Sequence, residues 1–484
     1  MQIYPQPRNL TFSGEEWSFS KKMVLTLPER YTNKKQLALF REFFKNATAG
    51  TGKLQVILAQ FEEPCAFFTT SNAPVSIDKR DDIADAEYKM IIKAGCAKLI
   101  FKDTAGLNHA FFTLLKVLEI RNADKGKERF TLPIGEIVDA PKLSFRGLHL
   151  CVFPETLFYK MRKMIRLAAF LGYSHIIMEF WGMYPYRSEK SLGRKKSFSR
   201  QQISTIVQEG RALGVEMVPM LNIYGHAAQN RVAHGKHTVL EQNPRMAPYF
   251  EMNGWNWNLL NPNVSKLQKQ MIDELLELFY DCKYFHIGCD EAYDYGSDRQ
   301  YLGNDKTQVL IDHINDISGY LQDKGRTTLM WGDMLLCDEK FAGCEQWGES
   351  KEICQRIIAG LDKRIILVDW QYTMQNEDLP TAKFLSEQGF KVICAPWENR
   401  TTAKIIIKNI EQHNYYGLLQ TTWHTLFSNI DLLPVGAILS WCGNQNLSEY
   451  LRWGKMQTVS ARYLRCVMRS KRYEEEGISL KDIR

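Results

Sequence analysis

From about Phe145 onward, short apolar runs rich in β-branched and aromatic residues alternate with stretches whose apolar positions recur at helical spacing. Runs of the first kind are Arg146–Val152, Ser174–Phe180, Glu216–Leu221, Tyr284–Asp290, Thr327–Asp333, Arg364–Trp370, Lys391–Trp397 and Gly417–Trp423. Helical stretches between them include Glu155–Leu171, Ser199–Leu213 and Val264–Tyr280; the second opens on a Ser199-x-x-Gln202 capping pattern and the third carries leucines at helical spacing. Gly172 and Gly214 follow the first two helices, where a left-handed cap suits glycine. Strand and helix in alternation imply a parallel sheet, and eight such units are the number that closes a barrel. The predicted fold is therefore α/β, a TIM (β/α)8 barrel.

The first 140 residues break that rhythm. They read as a helix over Lys34–Asn46, strands at Leu54–Ala59 and Tyr88–Ala94, a helix over Gly106–Ile120 and a strand at Phe130–Ile134. This predicts a small α+β N-terminal domain over 1–140, with the barrel and C-terminal helices in 141–484. The polar stretch Arg121–Glu128 is expected to be an exposed turn, and Pro141 marks the bend between the two units.

Composition narrows the class without naming a function. A hydrophobic fraction of 45% with 24% charged residues excludes a disordered or fibrous chain. No run reaches the roughly 18 to 20 apolar residues of a membrane span, so a membrane partner is not expected. The net charge of +7 gathers around Arg194–Lys196 and Arg469–Arg472 without interleaved aromatics, which argues against nucleic acid. The opening MQIYPQPRNLTFSG lacks a secretory pattern, and the 11 cysteines form no Cys-x-x-Cys pair. Cys151, Cys289 and Cys394 sit in strand-like runs as buried thiols would; the expected location is cytoplasmic, or outside the cell if a leader has been removed. The sequons at Asn9, Asn46, Asn263, Asn399 and Asn446 carry little meaning without export. His234 and His237 have no Cys or carboxylate at ligand spacing, so neither a metal nor a cofactor is expected. Oligomeric state has no signature here.

The chemistry gathers at the strand ends, where βα barrels build their active sites. The fourth run closes in His286-Ile287-Gly288-Cys289-Asp290-Glu291, two adjacent carboxylates after a glycine that permits close approach. Such a pair suits acid/base catalysis better than a helix cap or structural ion pair. The third run leads into Gly225-His226, and Trp331, Trp370, Trp397 and Trp423 stand at or near the ends of runs five to eight. Barrel interiors are usually filled by branched aliphatics, whereas indole faces match the C–H faces of a pyranose. Together with 12% aromatic residues and 11 Trp, this points to a carbohydrate ligand.

The stretch HIGCDEA at His286–Ala292 resembles the Asp-Glu signature of glycoside hydrolase family 20, the β-N-acetylhexosaminidases. Arg146-Gly147-Leu148, Pro219–His226 and Trp331-Gly332-Asp333 are similar to the same family. IYPQP at Ile3–Pro7 and HAFFTLLKVL at His109–Leu118 resemble the α+β domain that precedes its barrel. MEFWGMYPY at Met178–Tyr186 and LNP at Leu260–Pro262 resemble its hexosaminidase D-like branch.

The resemblance implies an exo-acting, retaining enzyme that removes terminal GlcNAc or GalNAc by substrate-assisted catalysis through an oxazolinium intermediate. Glu291 would then be the general acid and base, and Asp290 would hold the 2-acetamido N–H. Arg146 would grip ring hydroxyls, Glu179 would hold a hydroxyl or Arg146, and His226 would orient Glu291 or touch the sugar. Trp331, Trp370 and Trp423 would wall the sugar, Trp397 would add a further substrate contact, and Tyr372 would bond the acetamide carbonyl. Asn222 stands where the family often has Asp, and Trp423-His424-Thr425 replaces its Trp-x-Glu, so the gluco or galacto preference does not carry over. Glu398 is a further acidic candidate near the seventh strand end. Two alternatives remain open: a β-glycosidase using Glu179 or Glu398 as a direct nucleophile, and a non-catalytic sugar-binding barrel.

Overall fold

The computed structural model describes residues 3–19, 22–60, 63–70, 87–123, 127–194, 196–227, 239–252, 254–374, 376–425, 430–444 and 462–468. His234, His237, Asn446 and the basic segment Arg469–Arg472 lie outside them.

The N-terminal unit is a mixed sheet of β1 (Asn9–Phe19), β2 (Lys22–Pro28), β3 (Lys53–Ala59), β4 (Cys65–Thr69), β5 (Tyr88–Lys93), β6 (Cys96–Phe101), β7 (Glu119–Ala123) and β8 (Lys127–Asp139). Its order is β1-β8-β5-β6-β4-β2-β3, with β7 added onto β8. Helices α1 (Lys34–Ala47) and α2 (Thr104–Val117) join at a stacked Phe40–Phe111 pair, 4.1 Å between centroids. α1 opens with a capping box, Asn33 and Gln36 each satisfying the other's backbone N–H. α2 is buried on every side from Gly106 to Val117, because it packs on the sheet and also on the barrel, where Phe112 meets Phe170.

Much of the stretch expected to be an exposed turn is instead strand: Glu119–Ala123 pairs antiparallel with Lys127–Thr131, and 124–126 lie outside the described residues. Polar composition did not prevent pairing there, since among the described residues β7 pairs with β8 alone and an edge strand tolerates polar residues.

The barrel strands are β9 (Phe145–Val152), β10 (His175–Phe180), β11 (Glu216–Met220), β12 (Tyr284–His286), β13 (Thr327–Trp331), β14 (Ile366–Trp370), β15 (Lys391–Ala395) and β16 (Gly417–Gln420). All run parallel, and β16 closes onto β9 with Leu418 opposite Arg146. Around them lie α3 (Phe158–Leu171), α4 (Arg200–Ala212), the short α5 (Val239–Gln242), α6 (Pro262–Leu278), α7 (Lys306–Asp323), α8 (Lys351–Gly360), α9 (Pro380–Glu387), α10 (Arg400–His413) and α11 (Leu432–Cys442). Phe145, Ile177, Val218, Leu329, Val368 and Leu419 are among the side chains that fill the interior.

β12 ends at His286, four residues before the expected boundary. Gly288, Cys289 and Glu291 have φ of 70°, 79° and 44°, and a strand cannot continue through left-handed backbone. Glycine is required at 288, since a Cβ there would stand 2.0 Å from Asn222 Oδ1. The Asp-Glu pair is thereby carried on a turn that tops the sheet.

Three histidines, His286 and His313 buried and His175 largely so, make stability depend on pH. Burial holds His175 and His286 down to about 3 and His313 to about 4, against an ordinary 6.5. Below pH 6.5 the unfolded chain takes up protons that the native state refuses, so stability falls from about pH 6.5 towards 3 and is untouched by these groups above 6.5. Thermal unfolding midpoints should decline through this window, and His313→Gln should decline less steeply; identical profiles would show that His313 does not contribute.

Candidate active site

At the C-terminal mouth of the barrel lies a cavity of about 570 Å³. Asp290 and Glu291 reach it from the turn after β12, Asp290 buried and the Glu291 side chain 33% exposed. His226, from the loop after β11, serves both: its Nε2 is 3.1 Å from Asp290 Oδ2 and 3.5 Å from Glu291 Oε2. His226 and Glu291 hold φ of 55° and 44°, strain that persists only where surrounding contacts over-determine the backbone. Those contacts are present. Trp255 lies 4.6 Å from the His226 ring and donates its indole N–H to the Glu291 carbonyl. Asp333 Oδ2 accepts the Glu291 backbone N–H at 3.0 Å, and the Tyr293 phenol bonds the Glu291 side chain.

Asp333 has a second task. Its Oδ1 accepts the indole N–H of Trp370 at 3.0 Å, tying the Glu291 backbone to the aromatic wall. Burial, and then the charge of Asp290, hold the Asp333 carboxyl well above the ordinary carboxylate range. Asp333→Asn keeps one acceptor where two are used, so one N–H loses its partner. Kinetics should show kcat lowered roughly 10- to 100-fold with little change in KM; a change confined to KM would contradict this positioning role.

The aromatic wall is continuous. Trp370 and Tyr372 are 4.8 Å apart, Tyr372 and Trp397 are 5.4 Å apart, and Trp423 donates its N–H to the Tyr372 hydroxyl at 2.8 Å. Phe153 and Trp181, parallel at 5.9 Å, line the side of the cavity near β9 and β10. Glu345, Glu398 and His424 stand at its edge.

Three residues expected to bind substrate lie elsewhere. Arg146 sits at the start of β9, and six residues at about 3.3 Å each place it roughly 20 Å below the mouth. There it donates to the carbonyls of Gly172 (2.7 Å) and Leu143 (2.8 Å) and lies 5.0 Å over Trp441, at the seam with the N-terminal unit. Trp331 is fully buried, packed against His286 (4.6 Å) and Trp423 (5.8 Å). It is in register with Val368, so Trp370 stands one pleat repeat nearer the mouth and takes the place at the wall. Glu179 is buried below the cavity, accepting from Asn222 Nδ2 at 2.7 Å and lying 3.1 Å from His149 Nε2. Asn222 thus serves Glu179 and not His226.

Sequence reasoning missed Asp333, Tyr293, Trp255, Glu345 and Trp181 as parts of the site. The signal that could have found some of them is aromatic residues placed in loops, such as Trp255 in the segment before α6, where burial needs a partner for the indole N–H.

Comparison with known proteins agrees with this geometry. A family model described as glycosyl hydrolase family 20, catalytic domain, matches residues 174–429, and another described as its domain 2 matches 1–140. Hexosaminidase D of Bos taurus is 30% identical over 177 residues, covering 34% of this chain and 48% of that protein, so the match spans about half of the relative's length. The chitobiase of Flavobacterium johnsoniae shares the fold with a TM-score of 0.71 at 16% identity, over 96% of this chain and 72% of that one. The β-N-acetylhexosaminidase of Bacteroides fragilis NCTC 9343 superposes with a TM-score of 0.64 at 16% identity, over 99% of this chain and 96% of its own.

Proposed function

The chain belongs to glycosyl hydrolase family 20, and from that membership we propose an exo-acting, retaining β-N-acetylhexosaminidase that removes terminal β-linked GlcNAc or GalNAc. The observation that carries this reading is two adjacent carboxylates converging on His226 inside an aromatic cavity. In the first step the substrate's acetamido oxygen attacks C1 and the glycosidic C–O bond breaks. Glu291 protonates the departing oxygen, while Asp290 accepts the acetamide N–H and offsets the charge growing on the oxazolinium. In the second step the Glu291 carboxylate takes a proton from water as that water attacks C1 and the oxazolinium C1–O bond breaks, which restores the acetamide and gives net retention. In this reading the faces of Trp370 and Trp423 hold the ring, and Tyr372, 4.8 Å from Trp370 and bonded to the Trp423 indole, bonds the acetamide carbonyl.

The position of Glu179 favours this route over a direct nucleophile, because its carboxylate is engaged with His149 and Asn222 below the cavity. Glu398 is exposed at the cavity edge. A reducing compartment belongs to the same proposal, supported by 11 cysteines all present as free thiols.

Matched chromogenic β-N-acetylglucosaminide, β-N-acetylgalactosaminide and β-glucoside substrates test the function. At least one acetamido sugar should turn over about 10³-fold faster than the glucoside, the scale of one lost transition-state partner in an active site. Equal rates would reassign the mechanism to a direct nucleophile. No turnover of any substrate would leave a sugar-binding barrel.

A further inference from the structure

A second cluster of chemically active side chains lies beneath the cavity, and the proposed reaction does not use it. In the β9–β10 pairing Cys151 stands directly opposite Glu179, and His149 is two residues back on the same face. His149, Cys151 and Glu179 are all buried. We propose that these three residues bind a zinc ion that staples the first two barrel strands under the cleft floor.

The distances carry the argument. His149 Nε2 and Glu179 Oε2 are 3.1 Å apart, Cys151 Sγ is 3.6 Å from Glu179 Oε2, and Cys151 Sγ is 3.8 Å from His149 Nε2. Tetrahedral zinc with Zn–N and Zn–O near 2.05 Å and Zn–S near 2.3 Å would separate its ligands by about 3.3 Å for N···O and about 3.6 Å for pairs with sulfur. The three donor atoms therefore already outline one face of such a tetrahedron to within about 0.3 Å.

Charge points the same way. Among the described residues no lysine or arginine forms an ion pair with buried Glu179; its partners are His149, Cys151 and the Asn222 amide. A buried carboxylate is stable when paired or metal-bound. A divalent ion with the Glu179 carboxylate, a Cys151 thiolate and a neutral His149 gives a cluster of zero net charge. The donor set of thiolate, imidazole and carboxylate suits zinc and not magnesium or calcium, which take oxygen ligands. Asn222 holds the other carboxylate oxygen, Oε1, at 2.7 Å and so keeps Oε2 turned towards the cluster, the outer-shell arrangement that orients metal ligands.

On binding, the Cys151 S–H breaks and an S–Zn bond forms, releasing one proton to solvent. His149 binds through Nε2, which leaves the proton of the neutral ring on Nδ1, a buried atom without a hydrogen-bond partner among the described residues. Cys151 packs with Phe153, Trp181 and Trp423, three residues that line the cavity, so the ion would hold the cleft floor from below.

The test reads the metal and not turnover, so its outcome is independent of the proposed activity. Wild-type protein from zinc-supplemented cells should carry about one zinc per chain, with zinc-edge absorption fitting one sulfur at about 2.3 Å and nitrogen or oxygen at about 2.0 Å. Chelated protein titrated with Co²⁺ should develop near-ultraviolet thiolate-to-cobalt absorption. Cys151→Ser should remove that band, whereas the control Cys394→Ser should keep it. Protein without zinc, a zinc shell without sulfur, or a band that survives Cys151→Ser would each overturn the proposal. If Cys151→Ser does not fold, the wild-type absorption spectrum decides alone.

Discussion

A Glu291→Gln enzyme is expected to lose about 10²- to 10⁴-fold in kcat/KM on β-N-acetylglucosaminides with alkyl or sugar leaving groups. The amide keeps the size of the side chain and can still accept from Tyr293, and the backbone anchors from Asp333 and Trp255 do not involve the carboxyl. What disappears is the proton. The loss should therefore follow the leaving group: an aryl group acidic enough to depart as an anion needs no proton, and its release should be nearly unimpaired. Its hydrolysis then stalls at the second step, where the missing carboxylate would have activated water, so a burst of aryl product should precede slow turnover. Steady-state and burst kinetics across leaving groups of graded acidity measure both effects. A uniform loss across the series would remove Glu291 from the acid role.

Asp290→Asn should lower kcat by about 10²- to 10³-fold, the scale of one preorganised charge partner removed from an active site. Asp290 is buried and 3.1 Å from His226 Nε2, so an amide there changes charge at nearly constant volume. It would present an N–H or a weaker acceptor to the acetamide and would not offset the oxazolinium charge. A thiazoline mimic of that intermediate should bind at least about tenfold more weakly, which is about 1.4 kcal/mol, while product GlcNAc, which carries no such charge, should bind with a smaller change. Isothermal titration separates the two. An unchanged thiazoline affinity would exclude the acetamide role.

These two residues were legible in the sequence because their chemistry is adjacent: a carboxylate pair after Gly288 at the end of an apolar run stands out in any register. Trp370, Tyr372, Trp397 and Trp423 were legible for a similar reason, since each follows an apolar run closely enough to reach the mouth. Arg146 and Trp331 belong to the same runs but sit at the wrong height, one at the strand start and one a layer below the rim. Position along a run does not tell how far neighbouring strands are staggered. In the N-terminal unit the strands β1, β2, β4, β6 and β7 escaped notice. β4 is five residues long and buried throughout, so it shows no alternation and is defined only by its partners β2 and β6.

The sequence by itself determined the alternation of strand and helix, the number of barrel units, and the placement of acidic and aromatic chemistry at their ends. These are local quantities, set by a period of two or of 3.6 residues and by side-chain type. Tertiary structure alone decided the height of each side chain and its partner. It placed Asp333 between Glu291 and Trp370, carried Arg146 to the domain seam, and set Glu179 beside His149 and Cys151 under the floor. The reason is physical: those contacts join residues on different strands, and which atoms meet depends on strand stagger, barrel closure and left-handed turns such as 288–291, none of which has a period along the chain.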